Sequence, residues 1–250
     1  MTLKTNWETV GAPIDPDSTD RLFFTEHEWN TIEAATSRII PTDHHPGAKE
    51  ARVVVFIDRY LSGIDYVFAA ADGSGFLKLT GKFAQAWRGR IADMQRTYRE
   101  GLRTLDELCR QRLGRAFVEL AEPEQDRALE IFSGAPKPSP VTLDSTEAVS
   151  TFLQGVFDEG MEFWPALCLH TRQGFYADPV YGGNKDRVGW RVIGFDGPAS
   201  LRDTMDGTYS TSQYFVSDYD WGELVPHLRE QDRFEVPAPI TGPQVGGAAQ

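Results

Sequence analysis

A long amphipathic pattern between Thr80 and Gly114 constrains the fold of this chain more than any other feature. Nine apolar positions recur there with gaps of three or four residues that average 3.75, close to the α-helical period of about 3.6. Thr80 can cap the first turn and Gly114 can end the last. We therefore predict one long helix of about 50 Å at ~1.5 Å per residue. Its apolar face comprises Phe83, Trp87, Ile91, Met94, Tyr98, Leu102, Leu105, Cys109 and Leu113.

Three further segments predict shorter helices. In the first, Thr25 and Glu28 have the spacing of a capping box, and Pro41 ends the apolar period. A second covers residues 48–62. The third begins at Pro123 and is expected to bury Ala128, Leu129, Ile131 and Phe132.

The C-terminal half is less regular. A capped start at Asp144 predicts a helix that is kinked or restarted at Pro165 and ends near Phe175. After residue 176 the chain is aromatic and Gly-rich without a helical period, until a last short helix near 221–229.

These patterns together predict an all-α fold, an irregular multi-helix bundle with a long aromatic, Gly-rich C-terminal loop segment. We expect residues 1–22 to form an N-terminal arm and residues 236–250 a disordered tail. Residues 23–235 would form a single helical domain that includes the loop segment 176–220.

The chain is acidic, with 37 Asp and Glu against 25 Lys and Arg and a formal net charge of −12. This charge disfavours nucleic acid and anionic membranes as partners. No apolar run approaches the ~20 residues that a membrane helix needs, and the first residues carry no targeting signal. We therefore expect a cytoplasmic protein without membrane insertion. Cys109 and Cys168 make neither a disulfide scaffold nor a metal motif.

Two residue sets could carry chemistry but have simpler explanations. Asp43, His44 and His45 lie in one turn, but no further ligand is spaced for a metal ion, so we favour a solvated turn. Cys168 and His170 are two positions apart on a predicted helix. Their side chains therefore point roughly 200° away from each other, which does not suit a nucleophile dyad.

Two further residue sets could also carry chemistry, and each again has a simpler explanation. Asp158, Glu159 and Glu162 could act as acid and base beside a cleft, but a solvated helix face is favoured. The run Gly182-Gly-Asn-Lys185 lacks the ending of a phosphate-binding loop, so its glycines are expected to allow positive φ angles.

Two features leave their interpretation open. Between Arg88 and Arg115 eight arginines face four acids, a local charge of +4 that suits either a solvated helix or an acidic protein partner. Ten aromatic residues between Phe175 and Trp221 either fold over the helical core or form a surface for a partner.

Two blocks of sequence have recognisable motifs. The first combines Phe24-Thr-Glu-His-Glu-Trp-Asn-Thr-Ile-Glu-Ala34, Arg38-Ile-Ile-Pro-Thr-Asp43, Pro46-Gly-Ala-Lys-Glu-Ala51 and Phe56-Ile-Asp58. The second combines His170-Thr-Arg-Gln-Gly-Phe-Tyr-Ala-Asp-Pro-Val-Tyr-Gly-Gly-Asn184, Gly189-Trp190 and Gly194-Phe-Asp-Gly-Pro198. Over about residues 23–198 the chain thereby resembles the gluconate 2-dehydrogenase subunit 3 family.

The resemblance implies a non-catalytic small subunit with no cofactor of its own. Such a subunit accompanies a large FAD-dependent, GMC-type dehydrogenase of sugars or polyols, in some complexes with a cytochrome c subunit. It supports the folding and maturation of the large subunit. Exported members carry a twin-arginine signal, which does not precede Phe24 here. A periplasmic location stays open if such a leader was removed or if the partner carries the signal.

With this partner in mind, the 175–198 segment is predicted to dock on the flavoprotein, and Asp178 and Asn184 to fix the loop through side-chain to backbone bonds. A disulfide from Cys168 to a partner subunit is a separate alternative. A stand-alone sugar-active enzyme or carbohydrate-binding protein, using acids near Trp164 and Asp178, is the alternative function. The predicted partner interface comprises Phe175, Tyr176, Asp178, Tyr181, Asn184, Trp190, Phe195, Arg96 and Arg103.

Overall fold

The long helix is present as predicted in the computed structural model, which describes residues 7–10, 18–63, 66–69, 76–137, 158–195 and 197. Helix α3 (Gly81–Leu113) ends at Gly114, whose φ of 76° lets its N–H bond back to the Arg110 carbonyl. Thr80 occupies the N-cap position, but its side chain makes no capping bond. Although α3 has 33 residues, neither it nor any other described helix is apolar enough to cross a membrane.

The two helices before α3 begin where local backbone signals place them. Helix α1 (Glu26–Ile39) has the predicted capping box between Thr25 and Glu28. Helix α2 (Val53–Leu61) begins five residues later than predicted, because residues 48–52 form turns and Arg52 has a left-handed backbone with φ of 53°.

The helices after α3 differ from the prediction in detail. Helix α4 (Glu122–Ser133) has Pro123 in its first turn, as expected, but Ile131 is 43% exposed, so its predicted burial is wrong. Helix α5 (Phe163–Tyr176) begins only two residues before Pro165. In the first turn the missing N–H of proline has no intrahelical acceptor to lose, so no kink results. Residues 144–157, where that helix was expected to begin, lie outside the described residues.

The described part of the C-terminal segment is more helical than predicted. Short 3-10 turns at Pro179–Tyr181 and Lys185–Arg187 lead into helix α6 (Val188–Val192). The predicted helix near 221–229 and the tail 236–250 lie outside the described residues. The proposed domain division therefore stays a prediction.

A small antiparallel sheet adds to the helical fold and was not predicted. Its strands β1 (Trp7–Val10), β2 (Tyr66–Ala69) and β3 (Phe76–Leu79) lie in the order β1-β3-β2. The register places Trp7 opposite Leu79. Each strand has four residues, too few to show a clear alternating pattern in the sequence. The all-α class is confirmed for the body of the chain, with this sheet as a minor addition.

Helices α1, α2, α3 and α5 enclose the hydrophobic core. Helices α3 and α5 pack closely at Gly101, because a Cβ there would lie 2.0 Å from the Phe163 ring. Gly101 therefore allows the two helices to approach, although glycine weakens a helix interior. Fully buried core side chains include Ile32, Ile57, Tyr98, Leu105 and Leu167.

Two glycines of α3 provide a matched test of this packing. Gly101→Ala should lower the free energy of unfolding by about 1–3 kcal/mol, because the new methyl group collides with Phe163. Gly89→Ala should raise it by up to about 1 kcal/mol, because nothing lies within 4 Å of that position and alanine favours a helix. Urea unfolding of both variants measures the difference. Equal effects would show that α5 does not pack on Gly101.

Candidate functional site

Five polar side chains converge in the core between α2, α3 and α5. Asp158 and His170 are each only 1% exposed, and Tyr98 is 0% exposed. These residue types are the ones that acid–base catalysis uses, so their arrangement decides whether the chain has a catalytic site. The set, called here the buried polar cluster, comprises Tyr60, Arg90, Tyr98, Asp158 and His170.

Asp158 is the centre of the buried polar cluster. Its Oδ1 accepts a hydrogen bond from Arg90 Nε at 2.6 Å. Its Oδ2 accepts one from the Tyr60 hydroxyl and lies 3.0 Å from His170 Nε2. The other ring nitrogen of His170, Nδ1, lies 2.8 Å from the Tyr98 hydroxyl. A neutral histidine satisfies both contacts, donating from Nε2 to Asp158 and accepting at Nδ1 from Tyr98.

Aromatic rings surround the His170 side chain. The Tyr98 ring stacks on it at 5.7 Å with an interplanar angle of 13°, and the Tyr60 ring lies 4.8 Å away. Trp87 packs edge-on against Tyr60 at 5.5 Å, and the Arg90 guanidinium lies over the same indole. Asp158, His170 and Tyr98 are therefore separated from solvent, whereas Tyr60 and Arg90 at the edge of the cluster are only partly buried.

The protonation states follow from these contacts. Burial alone would raise the pKa of Asp158, but hydrogen bonds from His170 and Tyr60 and the Arg90 charge outweigh it and hold the pKa well below its usual value. Burial, together with the Asp158 charge, raises the pKa of both Tyr60 and Tyr98. At neutral pH the cluster is a carboxylate with protonated tyrosines. Because Asp158 and His170 have almost no exposed surface, this arrangement can hold the helices together but cannot meet a substrate.

The solvated helix face that was favoured for Asp158, Glu159 and Glu162 is thus wrong for Asp158. Asp158 is buried in the core, and only Glu159 and Glu162 are exposed as a solvated face would be. The three carboxylates do not share one cleft. Sequence could not reveal the role of Asp158, because its partners lie 12 to 98 positions away.

Two other buried aspartates tie separate segments to the helices. Asp58 is 0% exposed and accepts backbone N–H bonds from Leu22, Phe23 and Phe24 just before α1. Asp106 receives the Phe117 N–H at 3.1 Å and lies 2.5 Å from His27 Nε2. Asp58 directly follows the apolar run from Val53 to Ile57, a signal that could have marked it as a buried anchor, whereas Asp106 lies in a mixed sequence without such a signal.

The loop after α5 is held by the side chains predicted to hold it. Asn184, which is 0% exposed, donates to the Ala177 carbonyl and accepts from Gly189 N–H, both at 2.8 Å. Asp178 accepts the Val180 N–H at 3.0 Å. The predicted side-chain to backbone bonds are confirmed for both residues.

The glycine pair in this loop serves two purposes. Gly182 has a φ of 98°, as expected for a turn that requires positive φ. Gly183 instead allows close approach, because a Cβ there would lie 2.2 Å from the Gly174 carbonyl oxygen in α5. The loop therefore packs its backbone directly on the helix.

The predicted interface residues divide by burial. Phe175 and Trp190, like Asn184, lie within the core of this chain, at 2% and 7% exposure. Asp178 and Tyr181 are partly buried. Tyr176 and Phe195 expose 42% and 36% of their surface. Arg96 and Arg103 are exposed on α3, where they pair with Asp93 and Glu107. Whether these residues contact a partner stays a prediction.

The arginines between Arg88 and Arg115 are largely neutralised by carboxylates of the same chain. Arg99 pairs with Glu28 of α1 and Arg115 with Glu124 of α4. Four of the paired acids, Glu28, Glu124, Asp158 and Glu159, lie outside α3, so much of the local excess of +4 is balanced in the folded protein. The arginines with such ion pairs are Arg90, Arg96, Arg99, Arg103, Arg110 and Arg115.

The residues considered for a metal site and for a nucleophile dyad do not come together in a site. His44 and His45 are exposed beside Asp43, which accepts the His45 N–H at 2.7 Å. Among the described residues no three potential ligands are grouped to hold a metal ion. His170 is bonded to Asp158 and Tyr98, and Cys168 is a free thiol.

Comparisons with known proteins give one match. A family model described as gluconate 2-dehydrogenase subunit 3 matches residues 26–197. This range runs from the start of α1 to just beyond α6 and includes the whole buried polar cluster. No curated protein and no solved structure matches the chain.

Removing the central charge should destabilise the protein in a pH-dependent way. At pH 7, Asp158→Asn should lower the free energy of unfolding by about 3 kcal/mol, because Arg90 and His170 lose a buried anionic partner. The folded-state pKa of Asp158 is lowered, so its contribution is complete above ~4 and declines as the pH falls below that value.

The difference between wild type and Asp158→Asn should therefore shrink in acid. Urea titrations at several pH values measure it, and Asp93→Asn, which removes an exposed carboxylate paired with Arg96, is the matched control with little expected effect. A deficit that stays constant down to pH 2 would contradict the assigned charge state.

Both cysteines should react slowly in the folded protein. Burial raises the pKa of the Cys109 and Cys168 thiols to about 11, so only on the order of 0.1% is thiolate at pH 8. Iodoacetamide labelling followed by mass spectrometry should be slow for the native chain and fast in urea. Rapid native labelling of Cys168 would contradict this and would favour its availability for a bridge to another subunit.

Proposed function

Because this chain belongs to the gluconate 2-dehydrogenase subunit 3 family, we propose that it is the non-catalytic small subunit of a sugar or polyol dehydrogenase. In this proposal it binds, stabilises and helps to mature an FAD-dependent, GMC-type catalytic subunit. A cytochrome c subunit is a further candidate member of the complex. The observation that carries the proposal is the family match over residues 26–197.

The use of the polar residues supports an auxiliary role. The acid, histidine and tyrosines that converge are buried and satisfy one another, so they stabilise the fold. Of the acids named for a stand-alone sugar enzyme, Asp178 caps a backbone turn, whereas Glu162 near Trp164 is exposed. No observation favours that alternative over the subunit.

The glycine-rich turn does not suit a flavin. Gly183 lies against the α5 backbone, and a Cβ on Gly182 would lie 2.8 Å from the Arg59 guanidinium. The chain itself fills the space where a nucleotide phosphate would need backbone N–H groups. We therefore assign the FAD to the catalytic subunit, where it would accept the hydride from the sugar.

Co-expression of this chain with an FAD-dependent, GMC-type dehydrogenase from the same source tests the proposal. With this chain present, the yield of soluble, flavin-loaded catalytic subunit should rise several-fold, and the two proteins should co-purify. This chain expressed alone should carry no flavin and oxidise no sugar.

Addition of the purified chain after cell lysis is the control that separates maturation from binding. It should restore much less flavin-loaded enzyme than co-expression does. Equal yields with and without this chain, or sugar oxidation by this chain alone, would contradict the proposal.

A further inference from the structure

The outer side of α5 and α6 has a concentration of exposed apolar groups. Tyr176, Ile193 and Phe195 expose 42%, 59% and 36% of their surface. They are three of the six large apolar side chains that are exposed among the described residues, and they lie within 20 positions of one another. Together with Arg172 and Arg191 they are called here the α5–α6 surface.

This surface has a rigid base. Trp190 lies beneath it and donates its indole N–H to the Tyr176 carbonyl at 2.8 Å. The Phe195 ring packs edge-on against Trp190 at 5.3 Å, and the Phe195 N–H bonds to the Trp190 carbonyl. Side chains fixed in this way lose little conformational entropy on binding, which favours their use as anchors.

Arg172 adds to this surface a charged group that needs a hydrogen-bond acceptor. It lies one turn before Tyr176 on the same face of α5. Its Nε is buried, yet it has no hydrogen-bond acceptor among the described residues. The paired arginines of α3, such as Arg99 with Glu28, differ in this respect. The Arg172 residue as a whole is only partly buried, and no carboxylate among the described residues pairs with it, so its guanidinium is available to a carboxylate of another molecule.

The local charge agrees with that requirement. From Phe163 to Phe195 the chain has four Lys and Arg against two Asp, an excess of +2 within a chain of −12. So small an excess beside exposed rings does not suit a polyanion, whose binding depends on many cations. It suits a protein surface with an apolar recess and an acidic group at its edge.

We propose that the α5–α6 surface is the docking site for the catalytic subunit of the dehydrogenase. Tyr176, Ile193 and Phe195 enter an apolar recess of that subunit, and Arg172 binds a carboxylate beside it. The inference rests on the proposed function and specifies which face of this chain makes the complex.

Helix α4 provides matched control positions. Arg127 and Ile131 are both exposed on α4, outside the α5–α6 surface, and they match the residue types of Arg172 and Ile193. Affinity for the purified catalytic subunit is measured by biolayer interferometry with immobilised variants of the full chain. Arg172→Gln and Ile193→Asp should each raise the Kd at least about tenfold. Arg127→Gln and Ile131→Asp should leave it within about twofold.

Two further measurements separate docking from folding. The thermal unfolding midpoints of all four variants should stay close to that of the wild type, because each side chain is at least partly exposed. Arg172→Lys should recover only part of the affinity, because a lysine keeps the charge but lacks the planar guanidinium.

The possible negative results distinguish an error in the proposed function from an error in the proposed docking site. If the wild-type chain does not bind the catalytic subunit, the proposed function is wrong. If the wild type binds and the α5–α6 variants bind equally well, the docking site is wrong and the proposed function stands. If Ile193→Asp instead changes the oligomeric state of the isolated chain in light scattering, a second copy covers this surface and the inference is overturned.

Discussion

The buried carboxylate of Asp158 is the interaction on which the helical body depends. It accepts hydrogen bonds from Tyr60 of α2 and Arg90 of α3 and lies within bonding distance of His170 of α5. Removing a carboxylate from water is unfavourable, and only a full set of donors compensates for it. The three helices must therefore keep the positions that supply those donors. The same completeness leaves the cluster without access for a substrate.

The surface inferred to meet a partner is built outward from this core. Helix α5 is fixed at His170, and its far end supplies the backbone on which the loop packs through Gly183. Asn184 then closes the loop and Trp190 forms the base under the exposed rings. Asp158, buried just before α5, thus supports, through one helix and one loop, the side chains beyond the far end of α5.

Sequence reasoning succeeded where the determining interactions are local. The Thr25–Glu28 capping box, the period of α3 and its Gly114 terminus each involve residues within a few positions, and all were predicted. The loop bonds of Asn184 span seven positions or fewer and were also predicted. The role of Asp158, the β1–β3 pairing and the burial of Trp190 depend on residues distant in sequence or on packing that local patterns do not encode. The family motifs carried more information than these local patterns, because they identified two sequence blocks that are distant along the chain and belong to the same fold.

The proposed function makes this chain a structural partner that leaves the redox chemistry to another subunit. Native mass spectrometry of the complex, purified through a tag on this chain, tests that claim most directly. We expect a complex of this chain with a catalytic subunit, from which dissociation releases this chain without flavin and leaves the FAD on the other subunit. Release of this chain with bound flavin, or recovery of this chain without a dehydrogenase subunit, would contradict it.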